Sequence, residues 1–143
     1  MAVRVKLLVS HEDSELKVVA LVNSGFETDT SQLLLPKVAA EKLGFQPPIE
    51  ALKQTYDTAG GPAEVWVYPE SLKVKILAGK KTSRSVKADL VVSQIESEAL
   101  IGDKLSGELK IVVEDFSRGL WKLRGEKRLR RTERPQPWTE TAT

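Results

Sequence analysis

Cysteine is absent from this chain of 143 residues, histidine and methionine occur once each, and aromatic residues make up only 6%. Without cysteine there is no disulfide, no thiolate nucleophile and no sulfur ligand for zinc. With His11 as the single histidine, a multi-histidine metal site or a Ser-His-Asp triad has too few parts. Long hydrophobic runs are also missing. Leu7-Leu8-Val9 falls far short of the roughly 20 apolar residues that a membrane-spanning helix needs. The first nine residues carry Arg4 and Lys6 inside an alternating pattern, which reads as a strand and lacks the continuous apolar core and small-residue cleavage site of a signal peptide. The expectation is a soluble, cytoplasmic protein.

What is present suits an ordinary globular domain: 41% hydrophobic and 29% charged residues, in a chain long enough to bury a core. The net charge of +2 conceals an asymmetry. Residues 118–134 hold eight basic side chains against Glu126 and Glu133, so this segment is +6 and the remainder sums to about −4. A domain over 1–123 and a basic, flexible tail over 124–143 are expected, because the apolar periodicity stops at Arg124.

Along the body, runs rich in valine and leucine alternate with polar residues and are cut by turn signals. Strands are expected over 1–9, 16–22, 33–35, 52–58, 64–68, 72–77, 86–92, 109–114 and 120–123. Pro36 opens and Gly44 closes one short helix, and the pattern leaves room for one further helical turn after Gly102, with Asp103 as its N-cap. Ala59-Gly60-Gly61-Pro62 forms the tip of a hairpin. The pattern is that of a small all-β barrel or sandwich. Trp66 and Trp121 are expected in the core, with Trp66 also placed to line a cleft, and His11 in a surface turn.

Chemistry concentrates at Ala20-Leu21-Val22-Asn23-Ser24-Gly25, where an apolar strand ends in a polar turn closed by glycine. Read alone, Asn23 followed by serine and glycine is a tight-turn signal, since asparagine tolerates positive φ. Together with residues 56–65 and with Ala99-Leu100-Ile101-Gly102, the turn resembles the retropepsin-like aspartic proteases of clan AA, the single-lobed relatives of pepsin. The Asn23 segment matches the active-site turn, with Asn23 at the position of the catalytic aspartate. Residues 56–65 are similar to the flap, and the run ending at Gly102 is similar to the hydrophobic-hydrophobic-glycine motif. The words Leu34-Leu35-Pro36 and Ala40-Glu41-Lys42-Leu43-Gly44 are similar to those of archaeal and bacterial members.

The resemblance implies an all-β, closed-barrel-like retropepsin fold with one short helix, assembled as a homodimer. It implies an aspartic endopeptidase without metal or organic cofactor, in which two aspartates, one from each copy, share a proton and activate water. By the same resemblance Asn23, Ser24 and Gly25 occupy the catalytic positions. Ser24 would hydrogen-bond across the dimer, while Gly25, Glu27, Ala59, Gly60 and Gly61 would meet an extended peptide substrate. Asp103 stands where retroviral members carry an arginine that braces the active-site loop. Asparagine neither titrates nor takes a proton from water, so the chain as written is expected to be inactive. An inactivating substitution and a natural pseudoprotease kept for peptide binding both account for Asn23, the otherwise intact site favouring the former. A rival expectation, a β-barrel that binds nucleic acid through the basic tail and Trp138, has against it the lack of paired aromatics on alternating strand positions.

Overall fold

A computed structural model describes residues 2–23, 25–78, 81–82 and 84–139. The first hairpin pairs β1 (Arg4–His11) with β2 (Ser14–Val22) in unbroken register from Arg4↔Leu21 to His11↔Ser14. Alternation decides the faces: Val5, Leu7 and Val9 on β1 and Val18, Ala20 and Val22 on β2 enter the main core. After the Asn23 turn come β3 (Gln32–Pro36) and α1 (Lys37–Lys42). Pro36 occupies the cap position of α1, Ala39 and Ala40 are buried, and Gly44 leaves the helix at φ +95°. The hairpin β4 (Leu52–Thr58) and β5 (Gly61–Ala78) follows, then β6 (Lys81–Thr82), β7 (Val86–Ser93), β8 (Ala99–Ile101) and α2 (Asp103–Glu108).

Six strands close on themselves in the order β1-β2-β8-β3-β7-β5, with β5 returning to β1 through Leu7↔Ile76 and Val9↔Val74. The result is an all-β closed barrel with two short helices. Closure pairs each of these six strands on both sides. β4 extends outside the ring, paired only with β5. The expected strands 64–68 and 72–77 are one strand, interrupted where Pro69, Glu70 and Ser71 together oppose Asp89. Proline donates no ladder hydrogen bond, which makes a bulge its natural place in a strand.

The segment expected as a flexible tail is instead docked as far as Trp138. β9 (Ile111–Asp115), β10 (Leu120–Leu123) and β11 (Arg130–Arg131) form a second, three-stranded sheet. Beyond it Glu133 N–H donates to the Arg4 carbonyl, and Val19 N–H donates to Gln136 Oε1 at 2.8 Å. Trp138 N–H donates to the Ser97 carbonyl at 2.6 Å, and its ring packs against the main core. The docking has a backbone cause: β8 pairs with β2 only from Ala20 to Val22, so Val19 N–H needs another partner, and the strap provides it. No described helix is long and apolar enough to cross a membrane.

Candidate functional site: a groove beside the Asn23 turn

The loop from Asn23 to Ser31 leaves β2 at the end of its inward-facing run and is fastened from below by the start of α2. Asn23 N–H donates to the Ile101 carbonyl at 3.3 Å, Gly102 N–H to the Gln32 carbonyl at 3.2 Å, and Asp103 N–H to the Phe26 carbonyl at 2.9 Å. Asp103 Oδ1 accepts Thr28 N–H at 3.0 Å, and Lys104 Nζ donates to the Asp29 carbonyl at 3.0 Å. Asp103 is therefore not the N-cap that the sequence suggests. Gly102 holds that position, and Asp103 is the first helical residue, its carboxylate tying the loop down.

Gly102 explains its own place in the motif. A Cβ there would lie 3.2 Å from the Gln32 carbonyl oxygen and 3.4 Å from the Phe26 carbonyl oxygen, so only glycine lets these three backbones meet without strain. Asn23 folds its side chain onto its own turn: Oδ1 accepts Gly25 N–H at 3.0 Å. With that oxygen engaged, the other terminal atom of the carboxamide is the Nδ2 donor. Ser24 lies outside the described residues.

Beside the turn the outer face of the barrel, ordinarily its wet side, is apolar. Pairing aligns one residue from each of six strands: Leu21↔Leu100, Leu100↔Leu34, Leu34↔Val91, Val91↔Val67 and Val67↔Leu52. Leu34, Val65, Val67, Val91 and Leu100 form a second core separate from the barrel interior, overlaid by Leu21, Phe26 and Tyr56. Phe26 comes from the loop and Tyr56 from β4, and their rings face each other at 6.4 Å between centroids. Between loop and hairpin runs an open groove of about 1010 Å³, lined by Gly25, Glu27, Leu52, Tyr56 and Val67 among others.

Of the residues expected at the site, Gly25 and Glu27 line this groove. Asn23 sits at its end, half-buried, and is not among the described lining residues. Neither are Ala59, Gly60 and Gly61 at the tip of the β4–β5 hairpin, where Ala59 and Gly60 are exposed and Gly61 has φ +111°. Trp66 does not line it either: it packs against the main core, as does the buried Trp121. His11 is not a loose turn residue, since it ends β1, contacts the Ser71 carbonyl through Nδ1 at 2.9 Å and stacks on Phe45 at 4.0 Å.

Two residues also shape the groove: Asp89, which went unremarked in the sequence, and Tyr56, the first residue of the flap-like segment. Asp89 is 9% exposed and accepts Glu70 N–H at 2.7 Å and the Thr30 hydroxyl at 2.6 Å, joining the β5 bulge to the loop. Its signal was a lone carboxylate inside the apolar run over 86–92. The Tyr56 hydroxyl is buried with no hydrogen-bond partner of good geometry, and burial pushes its pKa up, with the Ser93 hydroxyl working against the shift and Glu96 adding to it.

Among the described residues no group of three or more histidine, aspartate or glutamate side chains is arranged to hold a metal. In the basic segment, Arg130 is committed to Glu126 at 2.8 Å and lies 5.9 Å from the centre of the Trp121 ring, and Glu133 is 3.7 Å from Lys6. No protein-family model matches the chain, and no curated protein matches it in sequence.

Proposed function

We propose that this chain is a retropepsin-like barrel whose outer groove binds an extended peptide, and that Asn23, in the position of the catalytic aspartate, leaves it without appreciable peptidase activity. The observation that carries the proposal is the groove between a glycine-closed turn and a hairpin, floored by Leu52 and Val67 beside the Phe26 and Tyr56 rings. The apolar floor of this groove suits the alternate side chains of an extended peptide, and the hairpin beside it suits a cover that closes over one.

The chemistry follows from Asn23. An aspartate there would keep one oxygen on Gly25 N–H and present the other as a base. The carboxamide presents an N–H donor instead, which can bind a peptide carbonyl but cannot remove a proton from water. A homodimer would bring two such turns together and would place asparagine in both halves of the dyad. Loss of a general base alone typically lowers rates about 10²–10⁴-fold.

The test is peptidase activity at acid pH for the chain and for Asn23→Asp, with and without an active-site-directed aspartic protease inhibitor, together with sedimentation of both forms. Inhibitable cleavage by the aspartate form alone is expected, from a dimer. A folded, dimeric Asn23→Asp that cleaves nothing would reduce the proposal to peptide binding on a borrowed scaffold.

A further inference from the structure

The walls of the groove differ from its floor. Its lining includes Glu27, Asp29, Asp57, Asp89 and Asp103, and no lysine or arginine among the described residues. Asp89 and Asp103 are occupied by backbone and hydroxyl donors. Glu27, Asp29 and Asp57 are exposed, and among the described residues none of the three carboxylates forms an ion pair. They stand on both banks: Glu27 and Asp29 on the loop after the Asn23 turn, Asp57 on β4. The neighbouring cation, Lys104, donates to the Asp29 carbonyl.

We propose that the groove selects extended peptides that carry lysine or arginine on either side of a short apolar stretch. This inference rests on the peptide-binding reading above and adds the substrate class to it. Leu52, Val67 and the Phe26 and Tyr56 rings take the central side chains, and the two acidic banks take the flanking cations. Like charges facing each other across an open groove repel, and a ligand that is cationic on both sides relieves that repulsion while making new pairs. These carboxylates are wet, so each pair is worth at most a factor of about five, and two together give about tenfold. The preference weakens with salt, because screening shortens electrostatic reach to about 10 Å at 0.1 M and about 3 Å at 1 M.

Three fluorescein-labelled decapeptides test this by anisotropy on the intact chain. All share a central Val-Ala-Leu-Val and differ only in flanks of lysine, glutamine or glutamate. The lysine peptide is expected to bind about tenfold tighter than the glutamine peptide and the glutamate peptide to bind weakest. The ranking should collapse in the triple variant Glu27→Gln, Asp29→Asn, Asp57→Asn. Leu52 is 54% exposed, so Leu52→Ser should fold normally and weaken all three peptides alike. Equal binding of the lysine and glutamine peptides would overturn the charge preference while leaving the peptide groove standing. A lysine preference that survives the triple variant, or peptide affinities that Leu52→Ser leaves unchanged, would place the contact elsewhere and overturn the inference. No binding by any peptide would remove the groove reading and this inference together.

Discussion

Replacing Gly102 by alanine should destabilise the fold, whereas the same change at Gly107, five residues along, should stabilise it. Gly102 has φ −67° and ψ 162°, angles that alanine adopts freely, so chain entropy alone would favour alanine by about 0.4–1 kcal/mol. The added methyl decides the sign. Its carbon would lie 3.2 Å from the Gln32 carbonyl oxygen and 3.4 Å from both Phe26 Cδ2 and the Phe26 carbonyl oxygen. Neither carbonyl is free to retreat. Gln32 O accepts Gly102 N–H, Phe26 O accepts Asp103 N–H, and β3 is clamped between β7 and β8. Overpacking of this kind costs about 1–3 kcal/mol, and a weakened hydrogen bond adds about 0.5–1 kcal/mol. Set against the entropy gain, the net loss is about 0.5–3.5 kcal/mol. For a chain of this size that lowers Tm by roughly 2–12 °C. Gly107 lies inside α2 with nothing within 4 Å of its would-be Cβ, so Gly107→Ala gains roughly 0.5–1 kcal/mol of helix propensity. Urea and thermal unfolding of both variants measure the contrast. A Gly102→Ala protein as stable as the parent would refute the close backbone approach beneath the Asn23 loop.

Tyr56→Phe should be neutral or stabilising by up to about 1 kcal/mol at neutral pH, because it deletes a buried hydroxyl that lacks a partner. The tyrosine also sets an alkaline limit: burial raises its folded pKa, so stability present below the ordinary value of about 10 is lost as pH rises from there through the folded pKa. Unfolding midpoints measured between pH 8 and 11 should therefore fall less steeply for Tyr56→Phe, and parallel curves would contradict the burial of that hydroxyl. Trp138→Ala removes a half-buried ring from the core and should cost about 2 kcal/mol, somewhat less than a fully buried aromatic would. It should also speed hydrogen exchange at Val19, whose amide the strap holds through Gln136. Unchanged stability and exchange would mean that the strap contributes nothing to the fold.

The positions of most elements were legible in local sequence because they depend on near neighbours. Alternation over Arg4–His11 and Ser14–Val22 specifies a hairpin, Pro36 and Gly44 bracket a helix, and paired glycines turn β4 into β5. The glycine-closed turn at Asn23 was legible for the same reason. The merger of two expected strands into β5 was not, since the bulge over 69–71 is held by Asp89 on another strand, through the Glu70 amide. Nor was the strap, because its cause is an unpaired amide at Val19, more than a hundred residues away in sequence, and composition alone reads such a segment as solvated charge.

The chain's own pattern determined an all-β protein without thiol or multi-histidine chemistry, and it marked one polar, glycine-closed turn at Asn23. Tertiary structure alone decided which face of the barrel would be dry on the outside. Leu21, Leu34, Leu52, Val67, Val91 and Leu100 are far apart along the chain, each ordinary on its own strand. Only the register of six paired strands puts them in one row, and loop and hairpin, held by Gly102 and Asp103 on one side and β5 on the other, leave Val67 and Leu52 of that row at the floor of a groove while Leu34, Val91 and Leu100 stay buried.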